Sequence, residues 1–227
     1  MRVAVLQTGR PPESLVERFG TYPDMIADLL GSGFDCTPYD VTQGAFPEAP
    51  QALVVTGSAA GVYEPLPWIA ELKAFLQAHR GRARMVGLCF GHQIMAEAFG
   101  GRVIKSPKGW GVGLNRYRIL AAEPWMEPGG APTAIPASHQ DQVVAPPPDA
   151  RVFAASDFTA FAGLAYGEDA VSFQGHPEFS PAYAQALIET RRGTRYSDAV
   201  ANAAIASLSA PGHSARVGGW IRRFLQG

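Results

Sequence analysis

Cysteine is scarce in this chain, with only Cys36 and Cys89 among 227 residues. That excludes a disulfide framework and a cysteine-rich zinc cluster. No excess charge of either sign is present. The net charge of −1 gives no electrostatic case for nucleic acid as a partner. Nor does any apolar run approach the roughly 20 residues needed to span a bilayer, so no membrane association is expected. Met1 to Leu6 is followed at once by Gln7 and Arg10, too short for the apolar core of a signal peptide. These features together predict a cytoplasmic protein. Internal repeats, linkers and low-complexity segments are missing too, and Pro146-Pro147-Pro148 reads as a rigid surface connection. With no phosphate-loop motif and no ATP-binding segment, acceptor chemistry is not encoded here, and no cofactor is expected.

What the chain does have is apolar residues, 47% of the total, enough for a substantial core in one α/β domain with additions. Val3 to Leu6 and Ala52 to Thr56 read as buried strands. Phe34 to Tyr39 is a weaker strand whose Pro38 predicts a sheet edge. Pro23 to Leu30 and Pro67 to about Ala78 read as helices, each with proline near its start. After Gly101, short strand candidates follow at Val103–Lys105, Val112–Leu120, Thr133–Ala137, Val152–Ala155, Phe161–Ala165 and Val171–Phe173. The pattern predicts a mainly parallel central sheet with helices on both faces, in the flavodoxin-like manner, plus a small antiparallel section. Residues 1–190 would form the catalytic domain. Residues 191–227 would add two helices packed on the same domain, Asp198–Leu208 and Ala215–Leu225. The basic connection Arg191-Arg192-Gly193-Thr194-Arg195 precedes them, and Pro211-Gly212 separates them; the arginines could suggest an anion site, but solvated helix faces explain them more simply.

Chemistry concentrates in two strings. The first is Gly87-Leu88-Cys89-Phe90-Gly91-His92-Gln93, between a short apolar strand and a helix marked by Ile94, Met95, Ala98 and Phe99. Gly-x-Cys-x-Gly is the thiol counterpart of the Gly-x-Ser-x-Gly nucleophile elbow. Its glycines leave room for a sharp turn, and a helix N-terminus favours thiolate over thiol. A buried structural cysteine is the alternative reading, and it is the preferred one for Cys36. The second string is Gln174-Gly175-His176-Pro177-Glu178. His176 and Glu178 are two residues apart and can face one side, so the carboxylate could orient the imidazole toward Cys89.

Both strings closely resemble the motifs of class I, triad-type glutamine amidotransferase domains, and the likeness runs from about Arg2 to Ile188. Where family members commonly have Phe before the histidine, this chain has Gly175. That variant resembles a free-standing subgroup that includes plant γ-glutamyl peptidases. Ser138-His139-Gln140-Asp141-Gln142-Val143 resembles a segment of free-standing and GMP-synthetase-like members. The resemblance implies Cys89 as nucleophile, His176 as base and Glu178 as its orienter. It implies an oxyanion hole from the backbone of Gly57 or Ser58 together with Phe90. Ser58, Gly91, Gln93 and His139 would lie near the substrate, a glutamine or γ-glutamyl compound. His139 and Asp141 alone make a poor metal site, so no metal is expected, and His92 reads as structural. The implied activity is cysteine-dependent hydrolysis of a γ-glutamyl amide. Alternatives are a glutaminase supplying ammonia to a separate synthetase chain, and a silent binding module on the same fold.

Overall fold

A computed structural model describes residues 1–128 and 130–227. The chain runs through β1 (Arg2–Gln7), α1 (Glu13–Phe19), α2 (Tyr22–Leu30), β2 (Asp35–Asp40), β3 (Ala52–Val55), α3 (Pro67–His79), β4 (Arg84–Leu88) and α4 (Phe90–Ala98). A strand-rich part follows: β5 (Arg102–Lys105), β6 (Gly111–Ile119), β7 (Thr133–His139), β8 (Asp141–Ala145), β9 (Ala150–Ala155), β10 (Gly163–Tyr166) and β11 (Ala170–Phe173). Helices α5 (Pro181–Arg191), α6 (Asp198–Ser207) and α7 (Ser214–Gln226) close it.

Among the described residues nine strands form one sheet, in the order β2-β1-β3-β4-β11-β10-β9-β6-β7. The first five are mutually parallel, and the other four continue the sheet in antiparallel fashion. The antiparallel section therefore extends the main sheet, while β5 and β8 pair separately as a small second sheet. As Pro38 predicts, β2 lies at the edge.

Strand period decides how the core divides, because successive side chains point to opposite faces. On β1, Val3 and Val5 join Val54, Val86, Ile26 of α2 and Trp220, Ile221 and Phe224 of α7. Ala4 and Leu6 join Leu53, Val55 and Met85 beneath Leu72 and Leu76 of α3 and Ile94 and Met95 of α4. Both faces of the parallel strands are thus covered by helices. Cys36, half-buried on β2, packs against the first of these clusters.

Three local readings of the sequence are corrected. The segment after β1 reads as a polar loop rich in turn formers but contains α1, whose apolar Leu15, Val16 and Phe19 span only about one turn. The segment from Ser138 to Val143 reads as a loop, but it is the end of β7 and the start of β8, with Gln140 alone between them as the chain passes from the large sheet to the small one. The strand before the histidine motif reads as running to His176 but ends at Phe173, so His176 lies in a turn beyond it. No helix among the described residues is long and apolar enough to cross a membrane.

Candidate active site

Ligands of parallel α/β sheets bind at the carboxyl ends of the strands, and three such ends converge here. At the end of β4, Cys89 takes φ 53° and ψ −100° as the residue capping α4. Among the described residues it is the one non-glycine residue with positive φ. Such backbone costs on the order of 1–3 kcal/mol and persists only where the surroundings enforce it. Two close approaches do so. A Cβ on Gly87 would stand 2.5 Å from the Gly91 carbonyl oxygen, and one on Gly91 would stand 2.3 Å from the Val55 oxygen. The Cys89 N–H donates to the Phe173 oxygen at 2.9 Å, tying the turn to the end of β11.

Beyond β11, the His176 N–H donates to the Pro136 oxygen at 2.8 Å, and Nδ1 of its ring lies 2.6 Å from Glu178 Oε1. Both side chains are buried. Burial opposes protonation of His176, but the Glu178 carboxylate and the hydrogen-bonded Cys89 sulfur outweigh it and hold its pKa above the ordinary value. Phe179 lies flat against the imidazole, with ring centroids 3.9 Å apart and planes 5° from parallel. Tyr22 stacks on Phe179, and Tyr183 meets it edge-on. Gly175 is small for a packing reason, since a Cβ there would come within 2.6 Å of Ile135.

The third end belongs to β3, where Gly57 passes close to both partners. A Cβ on it would stand 2.9 Å from His176 Cε1 and 3.8 Å from Cys89 Cβ. The Thr8 hydroxyl holds this loop, lying 3.0 Å from the Thr56 oxygen and 3.1 Å from the Gly57 oxygen.

Cys89 opens into a cleft of about 150 Å³. Ser58, Gln93, His139 and Asp141 line it, together with Tyr63, Glu64, Lys105, Trp110, Arg191 and Arg195. Tyr63 reaches across to Asp141, with its hydroxyl 3.1 Å from Oδ1. Gln93 Nε2 donates to the Asp141 oxygen at 2.8 Å and to Gln174 Oε1 at 3.2 Å, so this amide braces the start of β8. His139 Nδ1 donates to the Asp141 oxygen at 3.1 Å, and burial pushes its pKa down to about 4. A Cβ on Gly111 would lie 3.0 Å from its Nε2, which places that nitrogen against β6.

The structure thus gathers Cys89, His176, Glu178, Gly57 and Phe90 at one point, with Ser58, Gln93 and His139 along the cleft. Gly91 is different. Its N–H donates to the Thr56 oxygen at 3.2 Å and its Cα packs on Val55, so it shapes the turn, and it is not among the residues that line the cleft. His92 lies wholly inside, with Nδ1 2.7 Å from Ser172 Oγ. No cluster of three or more metal-binding side chains occurs among the described residues. Sequence reasoning missed Trp110 as a cleft residue, and it read Arg191 and Arg195 as solvated surface. Their positions depend on where α5 ends over the sheet, which no local pattern reports.

The sequence profile of class I glutamine amidotransferases matches residues 30–191. The chain belongs to that family. It is 30% identical over 213 residues to a glutamine amidotransferase-like protein of Schizosaccharomyces pombe, covering 85% of each chain. It is 29% identical over 191 residues to gamma-glutamyl peptidase 2 of Arabidopsis thaliana, covering 79% of this chain and 76% of that one. The crystal structure of a glutamine amidotransferase from Thermotoga maritima superposes with a TM-score of 0.81 at 16% identity, over 100% of this chain and 99% of that one. At that identity the superposition speaks for the fold. The curled α/β sheet of this chain is the amidotransferase fold, with Cys89 at its elbow.

Proposed function

We propose that this amidotransferase-family chain hydrolyses a γ-glutamyl amide, either glutamine or a γ-glutamyl compound, through a thioester on Cys89. The observation that carries the reading is the meeting of the buried His176–Glu178 pair with Cys89, which at its positive φ opens into a polar cleft. Cys89 Sγ attacks the γ-carbonyl carbon. His176 then gives its ring proton to the nitrogen, the C–N bond breaks, and ammonia or an amine leaves. Water enters and yields a proton to His176, its oxygen attacks the thioester, the C–S bond breaks, and glutamate departs. Glu178 keeps the imidazole oriented throughout.

The oxyanion needs donors beside Cys89. Phe90 is the first residue of α4, so its N–H has no acceptor within the helix. On the other side, Thr8 grips the Gly57 carbonyl. A trans peptide points its carbonyl and the following N–H in opposite directions. That supports the Ser58 N–H as second donor in preference to that of Gly57, and Ser58 lines the cleft.

The test is to incubate the isolated protein with glutamine and a panel of γ-glutamyl peptides, measuring ammonia and released amines separately. Turnover by the wild type that Cys89→Ala lowers by several orders of magnitude, with its fold intact and Cys36→Ala active, is the expected result. Equal activity in Cys89→Ala would sink the mechanism. Turnover that appears only when a synthetase is added would keep the mechanism and make the chain an ammonia-supplying subunit. A silent binding module would turn over nothing under either condition.

A further inference from the structure

The Cys89 cleft is lined by charges of both signs. Asp141 accepts from Tyr63 and lies opposite Lys105 across the β5–β8 pair, and the Glu64 carboxylate accepts from the Gly61 N–H. Arg191, the last residue of α5, and Arg195, in the turn after it, line the same cleft. Neither arginine forms an ion pair with a carboxylate among the described residues. Their neighbour Arg192 does, binding Glu189 and Asp198 on the outer surface. Arg191 is held in place by a neutral group, with Nη1 donating to Ser138 Oγ at 2.7 Å. The guanidinium of Arg195 lies 5.9 Å from the centroid of Trp110, which also lines the cleft. Two cations without a carboxylate partner therefore line the cleft into which Cys89 opens. Guanidinium groups in that condition match a planar carboxylate.

We propose that Arg191 and Arg195 form a carboxylate subsite for the substrate, and that it selects γ-glutamyl compounds whose amine portion bears a carboxylate. The proposal rests on the γ-glutamyl hydrolase reading. In this arrangement the γ-carbonyl sits at Cys89 and the leaving amine extends toward the arginines. Glutamine, whose leaving group is ammonia, leaves this subsite empty.

The experiment compares γ-glutamylglycine, γ-glutamylglycinamide and glutamine on the wild type and on Arg195→Gln and Arg191→Gln. Arg195 is exposed and bonded to nothing that shapes the fold, so its variant keeps the test valid if Arg191→Gln fails to fold. A KM for γ-glutamylglycine raised about three- to tenfold, with kcat retained and the other two substrates unaffected, is expected. A comparable rise for all three would keep the carboxylate subsite but assign it to the α-carboxylate of the glutamyl head. Unchanged KM for all three in Arg195→Gln overturns the proposal. A second readout does not depend on turnover. Alkylation of Cys89 by anionic iodoacetate relative to neutral iodoacetamide should fall in both variants. If no γ-glutamyl compound is hydrolysed and this ratio still falls, the hydrolase reading fails while the subsite stands. If the ratio does not move, the subsite fails as well.

Discussion

Glu178 has two carboxylate oxygens with different surroundings. Oε1 lies 2.6 Å from the His176 ring, and Oε2 is buried with no protein partner. Its charge is the largest influence raising the His176 pKa against the opposing effect of burial. Glu178→Gln removes that charge and keeps a hydrogen-bonding group of the same shape. The His176 pKa should fall, so the alkaline limb of kcat/KM should move to lower pH. Activity should drop about tenfold or more while remaining above that of His176→Ala. A pH–rate profile whose alkaline limb stays in place would remove Glu178 from the mechanism. Residues of this kind were legible before any fold was known, because the elbow around Cys89 and the His176-Pro177-Glu178 string, each weak alone, are specific in combination. Phe179 was not, since one aromatic after His-Pro-Glu carries no sign that it will lie flat on the imidazole.

At the scale of elements, that stack joins four segments. Phe179 follows the turn, Tyr183 comes from α5, Tyr22 opens α2, and Phe19 of α1 meets Tyr183 edge-on at 5.4 Å. The short helix α1 thus backs His176 through three rings. Phe179→Leu keeps an apolar side chain of similar bulk but loses the flat contact. Stability should fall by about 1–2 kcal/mol, and kcat should fall with KM nearly constant, because the ring then samples other orientations. A purely structural role would lower the melting temperature and leave kcat untouched. The elements around this stack were the ones hardest to read. Helix α1 has only seven residues, four of them exposed, and β8 begins one residue after β7, so neither has the long hydrophobic period that marks its neighbours.

For the whole molecule, buried histidines set the response to acid. His92 is held neutral by burial, with its pKa pushed down to about 3, and His139 likewise to about 4. Unfolding lets both bind protons near pH 6.5. Between about pH 6.5 and their folded values the unfolded state therefore holds more protons, and stability falls as the pH falls. Each contributes a slope of up to about 1.4 kcal/mol per pH unit. His176 has the opposite sign. Its pKa is raised in the fold, so its contribution is fully present below about pH 6.5 and is lost as pH rises through the folded value. Urea midpoints at pH 7 and pH 5 should therefore differ clearly. His92→Asn, which can still bond Ser172, should narrow the difference, and an unchanged one would show that His92 already titrates freely in the native state.

The sequence by itself determined the layered α/β class, the edge position of β2 and the three residues of the proposed triad. Each rests on local information: strand and helix periods, a proline that cannot donate to a sheet, and glycines that permit one sharp turn. Tertiary structure decided the rest, because the remaining roles depend on which distant segments meet. Gly91 proved a packing residue only once Val55 lay against it. The amide beside Ser58 was favoured over that of Gly57 only once Thr8, 48 residues from Thr56, was seen to hold the loop. Arg191 and Arg195 look in sequence like any basic surface turn. They become part of the cleft because α5 ends near the β7–β8 connection, where the Ser138 hydroxyl holds the first of them.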